Sequence, residues 1–147
     1  MPEAATSWTG QPLERREDAA LLTGSGRFAD DIGVRPGTWH AAFVRSPHAH
    51  ARLRAVDVSA ALTAPGVRTV LTGEDVRRWA APFVVGVKAP MEHWCLAVDK
   101  VRYTGEPVAL VVAEDRYLAE DAADLVRVDY EPVPVAVEIA QAIADGA

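Results

Sequence analysis

The chain has 147 residues and a formal net charge of −6, with half of its residues hydrophobic and 24% charged. This composition is typical of a globular domain, and the excess of acidic residues argues against binding to nucleic acid or to an anionic membrane surface. The single cysteine excludes an internal disulfide and any zinc or iron–sulfur site built from several cysteines.

No targeting or membrane-spanning segment is evident. Residues 1–12 lack the basic and apolar regions of a secretory signal, and apolar runs such as Pro107–Ala113 are too short to cross a bilayer. The sequence therefore predicts a cytoplasmic protein with neither a nucleic-acid nor a membrane partner.

The segment Gly10–Ile32 differs from the rest of the chain because no single period runs through it. A helical turn over Glu17–Leu22 is predicted to end before Gly24 and Gly26, since glycine weakens a helix. An irregular, charged segment ahead of regular structure favours a docking arm. We therefore predict an N-terminal arm over residues 1–37 and a domain over residues 38–147.

Regular elements follow the turn signal at Arg35–Gly37. The pattern predicts strands at Thr38–Arg45, Ala49–Val58, Val67–Leu71, Cys95–Val98, Val101–Tyr103, Val108–Ala113 and Val126–Tyr130. It predicts helices at Ala60–Thr63, from Thr72 or Gly73 to Trp79, at Asp115–Val126 and at Ile139–Ile143. Pro82–Pro90 is predicted as an ordered loop with some strand character, and Glu131–Val137 as an edge or exit segment.

Several details of these elements are also predicted. Ser59 and Asp115 are candidate N-caps of their helices, and the apolar run Val108–Ala113 indicates a strand covered on both faces. Alternation places Trp39, Ala41 and Phe43 on one face of the first strand. In the second strand it places Ala51, Leu53 and Ala55 inward, and His50, Arg52 and Arg54 on a basic outer face. The order of elements predicts a mixed α+β fold of small sheets with packed helices.

The histidines are weak metal candidates. His48 and His50 share a strand face and could combine with His40 or His93, but no HExxH helix or carboxylate at ligand spacing accompanies them. Imidazoles bonded to nearby backbone are the favoured interpretation.

The remaining candidates for catalysis are also weak. Gly24-Ser25-Gly26 lacks the strand and helix of a phosphate loop, and no serine lies in a G-x-S-x-G elbow. Glu106 could be a buried base, but a role in holding the turn before Val108 is favoured. The adjacent side chains of Asp30 and Asp31 point in different directions, so they are better interpreted as loop acids that bond backbone amides or meet a basic partner.

Four stretches in order carry a family resemblance: GQPLERREDAALLTGSGRFADDI, HAAFVRSPHAHARLRAVDVSAALTAPGV, VLTGEDV and LAVDKVRYTGEPVALVVAEDRYLAEDAADLVRVDYEPVPV. Together they resemble the N-terminal α/β hammerhead domain of the molybdenum hydroxylases, the xanthine dehydrogenase and aldehyde oxidase family. The sequence motifs RRED and GRFADDI are most similar to those of large subunits of the aerobic carbon-monoxide-dehydrogenase type.

The resemblance implies part of an oxidoreductase that uses molybdopterin cytosine dinucleotide, iron–sulfur clusters and FAD in the full complex. It places the catalytic residues and all cofactor contacts in later domains, so no catalytic, cofactor-binding or metal residue is expected in this chain. It implies a molybdopterin-binding chain or domain as partner, together with iron–sulfur and flavin subunits. Candidate contacts with these partners lie in the arm, at Arg15, Arg16, Arg27, Phe28, Asp30 and Asp31.

Two alternatives stay open at the level of sequence. One is a free-standing interaction module that has lost its redox partner, which would fold as a monomer without a large apolar patch. The other is a cofactor-free enzyme whose pocket is lined by tryptophans and a histidine, namely Trp39, Trp79, Trp94 and His93.

Overall fold

A computed structural model describes residues 9–86 and 91–145 of the chain. The chain divides into two compact units, Met1–Pro36 and Gly37–Ala147, which we call the arm and the main domain. The described part of the arm contains helix α1 (Asp18–Leu22) and a 3-10 helix (Ala29–Ile32). The predicted helical turn is therefore confirmed.

The main domain contains short strands interspersed with short helices, as predicted. Within its described residues the strands are β1 (His40–Arg45), β2 (Ala51–Asp57), β3 (Val67–Thr72), β4 (Phe83–Val85), β5 (Met91–His93), β6 (Lys100–Val101), β7 (Pro107–Ala113) and β8 (Arg127–Pro132). The helices there are α2 (Ser59–Leu62), α3 (Gly73–Trp79), α4 (Arg116–Asp124) and α5 (Ile139–Ala142). The mixed α+β prediction is confirmed.

The strand β7 is the centre of the first sheet, which has the order β1-β7-β3 with antiparallel neighbours. Its β-branched sequence suits a central strand, because such side chains pack well on a pleated surface. Val111 lies between Ala42 of β1 and Val70 of β3, and both Val70 and Val111 are buried. The prediction of a covered strand holds for this face, whereas Leu110 and Val112 on the opposite face are half-buried.

Helix α4 closes the core over this sheet. It starts at an N-cap, since the Asp115 carboxylate accepts a hydrogen bond of 2.8 Å from the Leu118 backbone N–H. Its small residues Ala119 and Ala122 are buried, and Ala122 belongs to the same apolar cluster as Val70 and Val111. The predicted cap at Asp115 is confirmed.

The second sheet has the order β6-β2-β8. Ala51 and Leu53 of β2 point inward as predicted, but the register shifts between Leu53 and Ala55. The shift moves Val56 to the inner side and leaves Ala55 exposed, so the prediction of an inward Ala55 is wrong. β8 is an edge strand of this sheet, as the prolines in Glu131–Val137 indicated.

Other local predictions need correction. The segment Cys95–Val98, which was predicted as a strand, is irregular. The Ala97 backbone N–H donates a single hydrogen bond of 2.8 Å to the Pro107 carbonyl, and no strand ladder forms there. In the predicted loop Pro82–Pro90, β4 pairs with β5 to form an antiparallel ribbon, while residues 87–90 lie outside the described residues. Residues 1–8, which belong to the arm predicted over residues 1–37, also lie outside them.

The start of helix α2 is held by a residue that the sequence pattern did not single out. The Asp57 carboxylate accepts a hydrogen bond of 2.9 Å from the Ser59 backbone N–H, whereas Ser59 makes no side-chain cap. The predicted Ser59 cap is wrong because Ser59 is already the first residue of the helix, which starts one residue earlier than predicted. Helix α3 begins as predicted at Thr72, whose N–H and hydroxyl both donate to Asp75 at 2.9 Å.

Candidate functional site

The glycine-rich turn of the arm is a helix terminus. Gly24 has a φ of +70°, and the backbone N–H groups of Ser25 and Gly26 both donate to the Ala20 carbonyl at 2.9 Å. These bonds satisfy the carbonyl at the end of α1, as is usual where a left-handed glycine follows a helix. The amides are therefore engaged within the chain and are not arranged to cradle phosphate.

A cavity in the arm brings together four of the six candidate contact residues. It has a volume of about 550 Å³ and is lined by Arg15, Arg16, Glu17, Ala20, Leu21, Ser25, Gly26, Arg27 and Phe28. Three guanidinium-bearing residues thus surround an apolar floor. Arg15 is paired with Asp18 at 2.9 Å, whereas the other two arginine side chains have no ion pair within the described residues.

The acidic candidates have a different place. Asp30 and Asp31 lie in the 3-10 helix and not in the lining of the cavity. The Asp31 carboxylate accepts a hydrogen bond of 2.8 Å from the Phe28 backbone N–H, which agrees with its interpretation as a loop acid. It thereby fixes the backbone at Phe28, whose ring is 67% exposed.

The arm exposes much apolar surface for its size. None of residues 9–36 is buried. Its large exposed apolar side chains are Leu13, Leu21, Leu22, Phe28, Ile32 and Val34. So many exposed large apolar side chains in a short segment favour an interaction site.

The main domain has an apolar sheet face of its own. Helix α4 covers the side of the sheet that carries Val111, and Phe43, Leu110 and Leu71 form a row across the opposite side. Phe43 is 47% exposed and its ring lies under the Arg45 guanidinium at 5.2 Å. We call these residues the outer sheet face. Trp39, Ala41 and Phe43 do share a side of the sheet, as predicted, and that side is the exposed one.

The histidines bond within the fold. His50 Nδ1 lies 3.0 Å from the Pro134 carbonyl. The His48 ring packs against the Tyr130 ring at a tilt of 56°, with 4.8 Å between centroids. Within residues 9–86 and 91–145, no three histidine, cysteine, aspartate or glutamate side chains lie close enough to hold a metal ion.

A small polar network missed by the sequence patterns lies beside His48. Ser46 is 2% exposed, and its hydroxyl bonds both the N–H and the carbonyl of His48 at 3.0 Å. Burial raises the pKa of the nearby Tyr130 phenol, and a hydrogen bond with the Ser46 side chain opposes that rise. Pro47 after Ser46 was the only signal for this turn, and it does not indicate a partner as distant in sequence as Tyr130.

Glu106 is a structural residue. Its side chain is among the most buried polar groups of the described chain, at 4% exposure, and its carboxylate accepts a hydrogen bond from the Arg102 backbone N–H. Its own N–H donates to the Tyr103 carbonyl, and its carbonyl accepts from the Ser46 N–H. These bonds close the turn into β7, so the favoured prediction for Glu106 is confirmed.

The tryptophan pocket is not formed by the residues proposed for it. Trp79 is 67% exposed at the end of α3, and the cavity beside Trp39 is lined by Gly37, Thr38 and Glu114. His93 lies in β5 and lines none of the cavities described for the main domain. The hypothesis of an enzyme built on these four side chains is therefore without support.

Comparison with known proteins identifies the fold. The family model described as aldehyde oxidase and xanthine dehydrogenase, a/b hammerhead domain, matches residues 23–134. The chain belongs to this family. The resemblance inferred from the sequence motifs is confirmed.

Relatives of the hammerhead domain are parts of larger chains. Subunit gamma of the 6-hydroxypseudooxynicotine dehydrogenase complex of Paenarthrobacter nicotinovorans is 46% identical over 145 residues, which cover 93% of this chain and 18% of that subunit. The carbon monoxide dehydrogenase large chain of Afipia carboxidovorans is 42% identical over 129 residues, covering 88% and 16%. Quinoline 2-oxidoreductase from Pseudomonas putida 86 matches in structure with a TM-score of 0.80 and 42% identity, covering 92% of this chain and 18% of that one.

The chain thus spans less than a fifth of the length of each of these three relatives. Among its described residues, no helix has the length and hydropathy of a membrane-spanning segment.

Proposed function

We propose that this chain is the hammerhead portion of a molybdenum hydroxylase, an oxidoreductase, and that it assembles with a molybdopterin-binding chain or domain and has no catalytic activity alone. The observation that carries the proposal is the outer sheet face. An apolar sheet face is normally covered by another layer, whereas here Phe43 is 47% exposed and its row neighbours Leu110 and Leu71 are half-buried.

The length of the relatives and the family of the chain indicate which partner covers the outer sheet face. More than four fifths of the relatives' chains have no counterpart here. One relative in Escherichia coli is named a xanthine dehydrogenase molybdenum-binding subunit, and the chain covers 18% of it. The polypeptide that supplies the remaining part is the natural partner for an apolar sheet face.

The arm supports the same proposal. Its cavity combines the Arg16 and Arg27 side chains with the exposed Phe28 ring, and arginine with an aromatic anchor is the composition typical of interface centres. We propose Arg15, Arg16, Arg27, Phe28, Asp30 and Asp31 as contacts of this partner.

The residues present do not fit the redox cofactors themselves. An iron–sulfur cluster needs several thiolates, and the chain has one cysteine, Cys95, which is exposed. The described residues provide no cluster of metal ligands. We therefore assign molybdopterin cytosine dinucleotide, the iron–sulfur clusters and FAD to other parts of the complex, and derive no catalytic step from this chain.

A free-standing module is the less favoured alternative. That hypothesis expects a surface without a large apolar patch, whereas both the arm and the outer sheet face expose apolar side chains.

Copurification tests the proposal. The protein is isolated under native conditions, its partners are identified by mass spectrometry, and molybdenum is measured in the isolated complex. We expect a molybdenum-containing complex, and we expect Phe43→Glu to weaken association about tenfold or more, since a buried charge is costly at an apolar contact. Tyr117→Glu, at a 76% exposed position of α4, is the matched control and should leave association unchanged. If the protein is a stable monomer that does not bind molybdopterin-binding chains, the proposal is overturned.

A further inference from the structure

A basic cleft lies on the second sheet, away from the outer sheet face. It has a volume of about 430 Å³ and is lined by His50, Arg52, Leu53, Arg54, Asp99, Lys100, Val133 and Pro134. The cleft lies beside the β2–β6 pair and the segment that follows β8. It is notable because the chain as a whole is acidic, with a net charge of −6.

Two cations lie next to each other in this cleft. Arg52 of β2 is the direct register partner of Lys100 of β6, so the two side chains leave the sheet on the same face. Like charges directly opposite each other destabilise a sheet. Taken alone, this pairing of two cations is therefore unfavourable.

The nearby acids do not neutralise this pair. Glu131, on the other side of Arg52, forms an ion pair with Arg54. The Asp99 carboxylate accepts a hydrogen bond of 2.6 Å from Arg77. Within the described residues, neither the Arg52 guanidinium nor the Lys100 ammonium has a hydrogen-bond or ion-pair partner.

An adjoining cavity extends the positive region. It has a volume of about 300 Å³ and shares His50 and Lys100 with the cleft, while adding Arg102. The Arg102 guanidinium donates to the Lys100 carbonyl at 3.3 Å, and in the described part of the chain it forms no ion pair with an acid. Since a carbonyl can only accept, the His50 Nδ1 carries the proton in its bond to Pro134.

We propose that this basic cleft binds the phosphate or pyrophosphate group of a small anionic ligand through Arg52 and Lys100. A guanidinium presents a planar fork of donors to phosphate oxygens, and an ammonium adds a compact charge. The volume falls in the range of small-molecule sites, which favours a small ligand over an acidic protein segment. The proposal does not depend on the function proposed above.

A bound dianion would also remove the repulsion between the two cations. The ligand should therefore stabilise the fold, because a molecule that binds only the folded state shifts unfolding by mass action. Removing one cation should abolish this effect without harming the free protein.

The test uses inorganic phosphate and pyrophosphate as probes on the purified protein, together with any chains that copurify with it. Isothermal calorimetry and thermal melting are compared with sodium chloride at equal ionic strength. We expect saturable binding with one site per chain, and a Kd raised about tenfold in Arg52→Gln and in Lys100→Gln, since each loses a charge-assisted contact. Arg127→Gln, on the exposed side of β8, is the matched control and should bind like the unaltered protein.

The free Arg52→Gln protein should melt at the same temperature as the unaltered protein or higher, which a merely structural role for Arg52 would not produce. The proposal is overturned if binding does not saturate, if sulfate or chloride stabilises equally, or if Arg127→Gln loses as much affinity. Tighter binding of a polyglutamate peptide than of pyrophosphate would point to an acidic protein partner and would also overturn it.

Discussion

Gly73 and the carbonyl of Ala97 are in direct contact, and a Cβ atom on Gly73 would lie 2.1 Å from that oxygen. Gly73 is the first residue of helix α3. Ala97 is buried in an apolar cluster with Ala51, Val101 and Val108, so neither backbone can move away freely. This close approach joins a helix of the first half of the domain to the irregular segment before β6.

Gly73→Ala is therefore expected to destabilise the fold by about 1–3 kcal/mol, since overpacking forces backbone shifts. Urea denaturation followed by circular dichroism measures the change. Gly86→Ala is the matched control, because a Cβ there would meet nothing within 4 Å. If the two variants were equally stable, the contact between Gly73 and Ala97 would accommodate a Cβ atom without loss of stability, which would contradict this prediction.

Glu106 should matter for stability and not for redox chemistry. Glu106→Ala leaves the half-buried Arg102 N–H without its acceptor, which costs about 1 kcal/mol. Glu106→Gln keeps an acceptor and should lose less. Denaturation of the two variants, beside Glu138→Ala at an exposed position, measures the difference. If Glu106→Gln retained full stability but abolished turnover of an intact complex, a structural role for Glu106 would be the wrong assignment.

Asp57 should make the start of helix α2 sensitive to acid. Hydrogen bonds from the Ser59 side chain and then from its backbone N–H lower the pKa of the Asp57 carboxyl. A lowered folded pKa means that the stabilisation is complete above the ordinary aspartate value of about 3.9 and is lost as pH falls through the lowered value.

We therefore expect Asp57→Ala to melt below the unaltered protein at neutral pH, with the difference narrowing as the pH falls below about 4. Melting temperatures across this range give the comparison. Asp121→Ala, at an exposed position of α4, is the control. A difference that stays constant down to the lowest pH would contradict the proposed role of the ionised carboxylate.

The arm should contribute to assembly more than to the stability of the main domain. Since none of residues 9–36 is buried, the pair Arg27→Gln and Asp31→Asn should leave the melting of the main domain nearly unchanged. The same pair should weaken association with the partner chain, measured by copurification yield. Glu14→Gln, outside the lining of the arm cavity, is the control. Loss of the fold itself would mean that the arm is core structure.

Sequence patterns predicted most elements of the main domain because their causes are local. The run Val108–Ala113 became the central strand β7, and Asp115 became the cap of α4, as propensity and capping chemistry require. The family motifs likewise predicted the hammerhead fold, which the comparisons confirmed.

Features that depend on residues distant in the chain could not be predicted from local sequence patterns. The bulge after Leu53 left Ala55 exposed. The β4–β5 ribbon formed where the sequence predicted an ordered loop with some strand character. The segment Cys95–Val98 was predicted as a strand but is irregular. Its Ala97 bonds the Pro107 carbonyl through its N–H and packs its own carbonyl against Gly73. In each case a tertiary contact outweighed the local preference.

The sequence by itself determined the α+β order of elements, the turn held by Glu106 and the absence of a multi-cysteine site, because each depends on residue type and spacing alone. Tertiary structure alone decided which charges meet. Arg52 and Lys100 are 48 positions apart in the chain, and only the antiparallel register of β2 and β6 places them opposite each other. Register is set by the packing of whole strands, so no local pattern could have brought these two cations together.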